Sequence, residues 1–291
     1  MNSIGNVFSI EFWEKAWVNF LSQNRLREKD NSFDQAKQWN RRAEDFSRRI
    51  GGIQGSRRLE QSHSFLQQEG VLKNNSTILD VGCGPGSFAV PFAKAGHSVV
   101  ALDPAQKMLD MLRAKLSPED SGRVETVTGL WEDIDIKEMG WEKRFDLVFA
   151  SMTPGVRDVE TLQKMNDCSR KWCFLSNFSG PRRFSLFEEI HLELLEKPFS
   201  NHVGDIIFPF NVLYIQGCRP RLAFTELSQQ REDSIEEAVG GVIEHFRFFA
   251  GIDTAPELEK KIHDLVERRA VDGKIKHQFH SNIGMMIWLV N

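Results

Sequence analysis

Residues 77–96 read TILDVGCGPGSFAVPFAKAG. An apolar run ends at Asp80-Val81, glycines alternate at Gly82, Gly84 and Gly86, and a helical pattern follows. That order describes a buried strand, a tight turn and a helix, the opening unit of a parallel α/β sheet. Glycine at these points permits tight turning and lets a ligand approach the backbone without meeting a Cβ. The helix start offers unpaired N–H groups to a polar or anionic edge. Open α/β sheets bind ligands at this carboxyl end of a strand. Pro91 falls inside the helical pattern and marks an irregularity near its start.

Working outward, nearly all-apolar runs recur at 98–103, 124–128, 146–151 and 172–177, as expected of strands covered on both faces. Helical segments separate them near 87–95, 105–116 and 157–169. Upstream, Ile10, Trp13, Trp17, Phe20 and Leu21 share one face of a helix over 9–28. A second helix starts at Ser32, with Gln35 completing a capping box, and runs to Gly51-Gly52. A third passes through Leu59, His63 and Leu66 and stops at Gly70. Downstream of Gly180-Pro181 the pattern gives a helix near 184–196, an apolar segment at 206–218 and a strand at 221–228. Helices at 234–249 and 255–270 and a last strand at 275–289 complete it.

Composition removes several classes. There are 37 Lys+Arg against 41 Asp+Glu, a net charge of −4, which speaks against a partner held by its phosphates. With 41% hydrophobic and 27% charged residues the chain reads as globular, not disordered. No run free of charged side chains reaches the ~20 residues that span a bilayer. The opening MNSIGNVFSIEFWEK lacks a basic region followed by an apolar core, so a cytoplasmic protein is expected. Cys83, Cys168, Cys173 and Cys218 form no C-x-x-C pair, and the eight histidines show no ligand spacing, so no metal site is expected.

The glycine spacing is G-x-G-x-G, because position 87 is Ser where a dinucleotide fingerprint needs the third glycine later. The next strand closes on Asp103, 21 residues after Gly82. A carboxylate there accepts both hydroxyls of a ribose and opposes a 2′-phosphate.

With these residues in place, Leu79-Asp80-Val81-Gly82-Cys83-Gly84-Pro85-Gly86 resembles the first motif of class I S-adenosylmethionine-dependent methyltransferases. Ala101-Leu102-Asp103-Pro104 resembles the second, with Met108 in the helix after it. Thr128–Asp133 stands where that family reads adenine, and Phe145–Ser151 resembles the fourth motif. The resemblance covers roughly residues 70–180. It implies an α/β fold with a Rossmann-like, doubly wound, mostly parallel seven-stranded sheet and antiparallel last strands. Residues 1–70 form a helical extension over the cofactor site and 71–180 the cofactor-binding core. Residues 181–291 complete the sheet and add a helical cap on the substrate side.

The cofactor implied is S-adenosylmethionine, leaving as S-adenosylhomocysteine. Its implied contacts are Asp80, Gly82, Cys83 and Gly84 along the methionine and ribose, then Asp103 on the ribose hydroxyls, with Pro104 and Met108 beside it. Trp131 would stack near adenine, Glu132 or Asp133 would accept its exocyclic N–H, and Ala150 and Ser151 would lie beneath the sulfonium. An N-terminal helix closing over the cofactor would bring Trp39 or Arg42 to it. Members that methylate amino groups of nucleic acids carry Asp or Asn, Pro-Pro and an aromatic where this chain has Ser151-Met152-Thr153-Pro154.

Structural readings compete with some of these. Trp131 also suits a core position. The segment 206–218, with Asn211 and the chain's single tyrosine, Tyr214, fits an acceptor-pocket wall, a core helix or a dimer contact. His191 and His202 are available as general bases, but a lone histidine is more often structural, and no catalytic residue is assigned. The function expected is methyl transfer to a small-molecule acceptor. The alternatives are a protein or RNA methyltransferase, a non-catalytic S-adenosylmethionine-binding protein, or a nicotinamide enzyme. The acceptor, the atom methylated and the oligomeric state stay open.

Overall fold

In a computed structural model, the described residues are 6–24, 35–50, 53–199, 202, 204–248 and 251–290. The first strands are β1 (Thr77–Val81), β2 (Ser98–Asp103), β3 (Val124–Thr128), β4 (Phe145–Ser151) and β5 (Ser169–Phe178). They lie parallel in the order β3-β2-β1-β4-β5. β1 and β2 are buried almost end to end because neighbours flank both edges and helices cover both faces. β3, at the sheet edge, is half-exposed, with no fully buried residue.

Alternate side chains of each strand feed two cores. Leu79, Val81, Leu102, Val148 and Leu175 join Trp17 and Phe208 on one face. Ile78, Val99, Ala101, Phe149 and Phe174 join Leu66, Phe92 and Leu109 on the other. The first face carries α1 (Ile10–Asn24), together with segments met later in the chain. The second carries α3 (Ile53–Gln68), α4 (Ala89–Lys94) and α5 (Gln106–Arg113). Between α1 and α3, α2 (Gln35–Ile50) packs on α5, with Ala43 against Ala105 and Met108. The capping box expected at Ser32 lies outside the described residues. Pro91 is the third residue of α4, where a backbone N–H has no intrahelical acceptor, so the ring is tolerated.

A short α6 (Pro118–Ser121) precedes β3, and α7 (Val159–Cys168) bridges β4 to β5, opened by a reciprocal Asp158–Thr161 capping box. Then follow β6 (Arg183–Phe184), α8 (Ser185–Leu195), α9 (Ile207–Ile215), β7 (Arg221–Ser234), α10 (Ile235–Phe248), α11 (Pro256–Glu267) and β8 (Lys274–Leu289). β8 pairs antiparallel with β5 through 283–289 and with β6 through 279–280, while β7 lines its other edge. The sheet therefore has eight strands, not the seven expected. The extra one is the two-residue β6, too short to carry a hydrophobic period. β7 also runs to Ser234, past the expected 228, because β8 continues opposite it as a two-stranded ribbon beyond the end of β5.

On that ribbon α8, α10 and α11 bury their own cluster, including Ile190, Val242, Phe246, Ile262 and Ile275. The segment 206–218 forms α9, which buries Phe208, Val212 and Leu213 beside α1. No described helix is long and apolar enough to cross a membrane.

Candidate cofactor site

The chain runs outward through β1, β2 and β3 and then returns to place β4 on the other side of β1. Crossovers therefore reverse between β1 and β4, which is where an open α/β sheet leaves a crevice at its carboxyl edge. A cavity opens there, lined by the ends of β1, β2 and β4 and the loops that follow them.

Its floor is the glycine loop. Gly82 and Cys83 donate N–H bonds to the Leu102 carbonyl (2.8 and 3.0 Å), which turns the chain across the end of β2. Gly82 has φ +70°, and a Cβ there would run into the side chain of Thr153. β4 ends at Ser151, and Met152 takes φ +55° as its N–H bonds the Ser176 carbonyl, which brings Thr153 back over the loop. Glycine at 82 is thus required twice, by conformation and by space.

Asp103 ties loop to strand. Its Oδ2 accepts the Gly84 N–H at 2.9 Å and its Oδ1 the Ala105 N–H at 2.9 Å. Burial raises its pKa, and the two N–H bonds work against that. Each oxygen keeps a lone pair, so the carboxylate can still accept two hydroxyls.

Asp80, 2% exposed, lies deeper. Burial, and then the charge of Asp103, push its carboxyl up to about 7, against the pull of the Ala89 N–H and of Arg58. Burial also drives the Cys83 thiol well above its ordinary value, helped by Asp80 and Asp103, so it is no nucleophile.

Of the residues expected at the site, the cavity is lined by Asp80, Gly82, Cys83, Gly84, Asp103, Pro104, Met108, Trp131, Glu132, Ser151 and Trp39. Two do not fall there. Ala150 is wholly buried in the sheet below Ser151, since β4 ends one residue later. Asp133 is exposed and stands outside the lining, because the turn of 3₁₀ helix at 131–133 points it to solvent. The side chain of Arg42 lies outside the described residues.

Trp131 serves the core as well as the cavity. It is 3% exposed, its Nε1 donates to the Thr161 carbonyl at 3.0 Å, and the Lys164 ammonium sits 5.5 Å from its ring. Glu132 is held by Arg157 at 3.0 Å.

Lining residues that the sequence analysis did not assign as cofactor contacts include Arg58, Ser87, Phe88, the Gly129-Leu130 pair and the run Met152–Gly155. Arg58 is the charged one, and its side chain reaches the cavity from α3. A signal existed: Arg58, Ser62 and Phe65 recur at helical spacing, and Ser62 and Phe65 are buried.

The histidines are placed elsewhere. His191 Nδ1 is 2.9 Å from the Lys197 carbonyl. His202 is 3.1 Å from Asp205, whose other oxygen accepts the Ile207 N–H at the start of α9. Asn211 donates to the Ile207 carbonyl, Tyr214 is half-exposed under Arg219, and neither lines the cavity. The acceptor-wall reading of α9 thus gives way to its packing against α1. Among the described residues, the one cluster with metal-ligand proximity is the exposed His263, Asp264 and Glu267, far in sequence from the cavity lining.

The cavity fits an S-adenosyl ligand on three counts: a backbone cradle that a Cβ would fill, a carboxylate with spare acceptor capacity, and a buried Asp80 Oδ2 with no partner.

Residues 78–171 match the family model described as a methyltransferase domain. An uncharacterized protein of Haemophilus influenzae is 31% identical over 167 residues, 55% of this chain and 58% of that one. Cypemycin N-terminal methyltransferase of a Streptomyces species is 39% identical over 75 residues, 26% of this chain and 27% of that one. These alignments span less than two thirds of either relative. Magnesium protoporphyrin IX methyltransferase from Synechocystis, solved with its cofactor bound, aligns with 13% identity and a TM-score of 0.48 over 88% of this chain and 99% of that one. The matched residues run from β1 into β5 and contain the glycine loop, Asp103 and the end of β4. The core of this chain, from β1 into β5, is therefore similar to a methyltransferase domain.

Proposed function

We propose that the chain transfers a methyl group from S-adenosylmethionine to a small-molecule acceptor. The observation that carries this reading is the hydrogen bond joining Gly84 to Asp103 inside the cavity at the β1/β4 switch point. It sets the glycine cradle against a carboxylate with two free lone pairs. When bound, S-adenosylmethionine supplies a methyl carbon activated by a positively charged sulfur.

The chain's task is then positional. Asp103 holds sugar hydroxyls, and the loop backbone keeps the neighbouring part of the ligand close. Trp39 of α2 adds an aromatic side chain to the lining. Ser151, tied to Ser176 at 2.9 Å, and the turn Met152–Pro154 form the far floor, where an acceptor would be aligned. Fixing an acceptor lone pair in line and excluding water lowers a barrier by roughly 7–11 kcal/mol in favourable cases. A general base is needed only for a hydroxyl or a protonated amine, and no described histidine lines the cavity. The net charge of −4 favours a small acceptor over RNA.

Calorimetry tests the reading. S-adenosylhomocysteine should bind at micromolar strength and NAD should not bind. A screen of small acceptors with methyl-labelled cofactor should then give labelled product. Binding of NAD without binding of adenosyl ligands would overturn the assignment.

A further inference from the structure

A buried group of basic side chains lies inside the cap that α8, α10 and α11 build on the β7/β8 ribbon. His245 of α10 is 2% exposed. Its ring meets Phe187 of α8 at 5.0 Å, Phe199 edge-on at 4.3 Å and His191 of α8 at 6.4 Å. The charge of Arg182 acts on the same imidazole. That guanidinium sits against Phe178 and Phe184, 5.0 and 5.7 Å from their ring centres. His277 of β8 stacks on Phe187 at 6.3 Å and is bound by Asp233 of β7 at 2.8 Å. Three imidazoles and a guanidinium thus converge on one aromatic cluster, from α8, α10, β8 and the residue before β6.

The cap stands where its movement matters. β5 and β7 are both antiparallel to β8, so β7 runs on past Phe178 beyond the carboxyl ends of the sheet, the edge on which the cofactor cavity opens. The cap core is separate from the two cores of the sheet, which lets it open without them. Its carboxylates are held by other cations: Glu188 by Arg183, Glu189 and Glu193 by Arg269, and Glu259 by Arg247. Glu244, beside His245 in the chain, is exposed, and His191 Nδ1 lies 2.9 Å from the Lys197 carbonyl. The charges that act on His245 are those of His191 and Arg182, both unfavourable to a proton there. His277 is the contrast, because Asp233 supplies a counter-charge at its Nε2.

We propose that the cap is an acid-operated cover, in which a proton taken from solvent onto His245 frees α8 and α10 from the ribbon while the sheet and its cavity keep their form. The cost of that proton in the closed cap is the cost of a buried cation among cations. Burial first, then His191 and Arg182, hold the closed-cap pKa down at about 4 from an ordinary 6.5. Between these values the open cap takes up a proton that the closed cap excludes. The stability of the closed cap is therefore full above the upper value and is lost progressively as pH falls toward the lower one. The device belongs to the cap alone and does not depend on what the cavity binds.

Hydrogen exchange read peptide by peptide on the full chain tests this, at about pH 7.5 and about pH 5, with rates corrected for the intrinsic pH dependence of exchange. In the wild type the opening constant of α8 and α10 peptides should rise by roughly 10–30-fold between the two pH values, the uptake of one proton. Peptides of β1 and β4 should change by less than about twofold. His245→Phe keeps an aromatic ring in the cluster and should leave cap opening nearly independent of pH. Arg182→Met removes one of the two opposing charges and should shrink the pH effect without abolishing it, so the role of His245 is still decided if His245→Phe fails to fold. Equal cap opening at the two pH values in the wild type, or an undiminished pH effect in either folded variant, would overturn the proposal. So would cap and sheet opening together in acid, because the cap would then not move as a separate unit.

Discussion

The Gly84 N–H donates to Asp103 across 2.9 Å, so the turn after β1 and the end of β2 are one unit. A carboxylate in this position serves twice, as acceptor for ligand hydroxyls and as the anchor that shapes the cradle. Replacing Asp103 with Ala should weaken S-adenosylhomocysteine by about 1.5–3 kcal/mol, or roughly 10–150-fold. Asp103→Asn should fall between, because its single acceptor oxygen satisfies only one of the two backbone donors. Titration calorimetry reads both. Full affinity in folded Asp103→Ala would remove this residue from the site.

Gly82 separates strain from contact. Gly82→Ala places a methyl group against Thr153 at a φ of +70°, so it should cost stability and also close the cradle. The expected loss is about 1–3 kcal/mol in folding free energy, with ligand affinity falling too. Gly96 is the control: it has φ +91°, but a Cβ there comes no nearer than 3.9 Å to Asn75. Gly96→Ala should lower the melting temperature and leave affinity unchanged. Equal binding by both variants would show that the loop does not meet the ligand.

Trp131 is more a beam than a shelf. Its Nε1 serves the Thr161 carbonyl, and Lys164 caps the same corner by donating to the carbonyls of Trp131, Glu132 and Ile134. Trp131→Phe removes the bond to the Thr161 carbonyl and should cost about 1–3 kcal/mol of stability. Affinity for S-adenosylhomocysteine should fall much less. Chemical denaturation and calorimetry on the same variant decide it: a large affinity loss with intact stability would restore adenine stacking as its main role.

What could be read in advance follows from range. The loop, Asp103 and β1 to β5 are local patterns, since a glycine run or an apolar strand announces itself over a few residues. Arg58 was hidden because the cavity it reaches is built on other elements, and Arg57-Arg58 side by side reads as a solvated pair. Its helical spacing with Ser62 and Phe65 could have flagged a buried face, but only the fold says that this face meets Asp80. Ala150 missed by one residue because strand ends are the least legible feature of a sequence. β6 and the long arm of β7 are imposed by β8, a partner far away in the chain, and no local period encodes them.

Asp80 gives the fold a pH signature. Its carboxyl is moved from an ordinary 3.8 to about 7, chiefly by burial. Between these values the folded chain holds a proton that the unfolded chain releases, so this group makes stability fall as pH rises through the window. Below the lower value both states are protonated and the effect vanishes; above the upper one the full penalty of a buried anion is present. Asp80→Asn abolishes the titration. Relative to the wild type, the unliganded variant should therefore gain more in melting temperature at about pH 8 than at about pH 5. An equal difference at the two pH values would mean that the carboxyl titrates normally and is wetter than its burial implies. A cation bound beside Asp80 opposes the penalty, so S-adenosylhomocysteine should raise the wild-type melting temperature more at the higher pH, and this extra gain should be absent in Asp80→Asn.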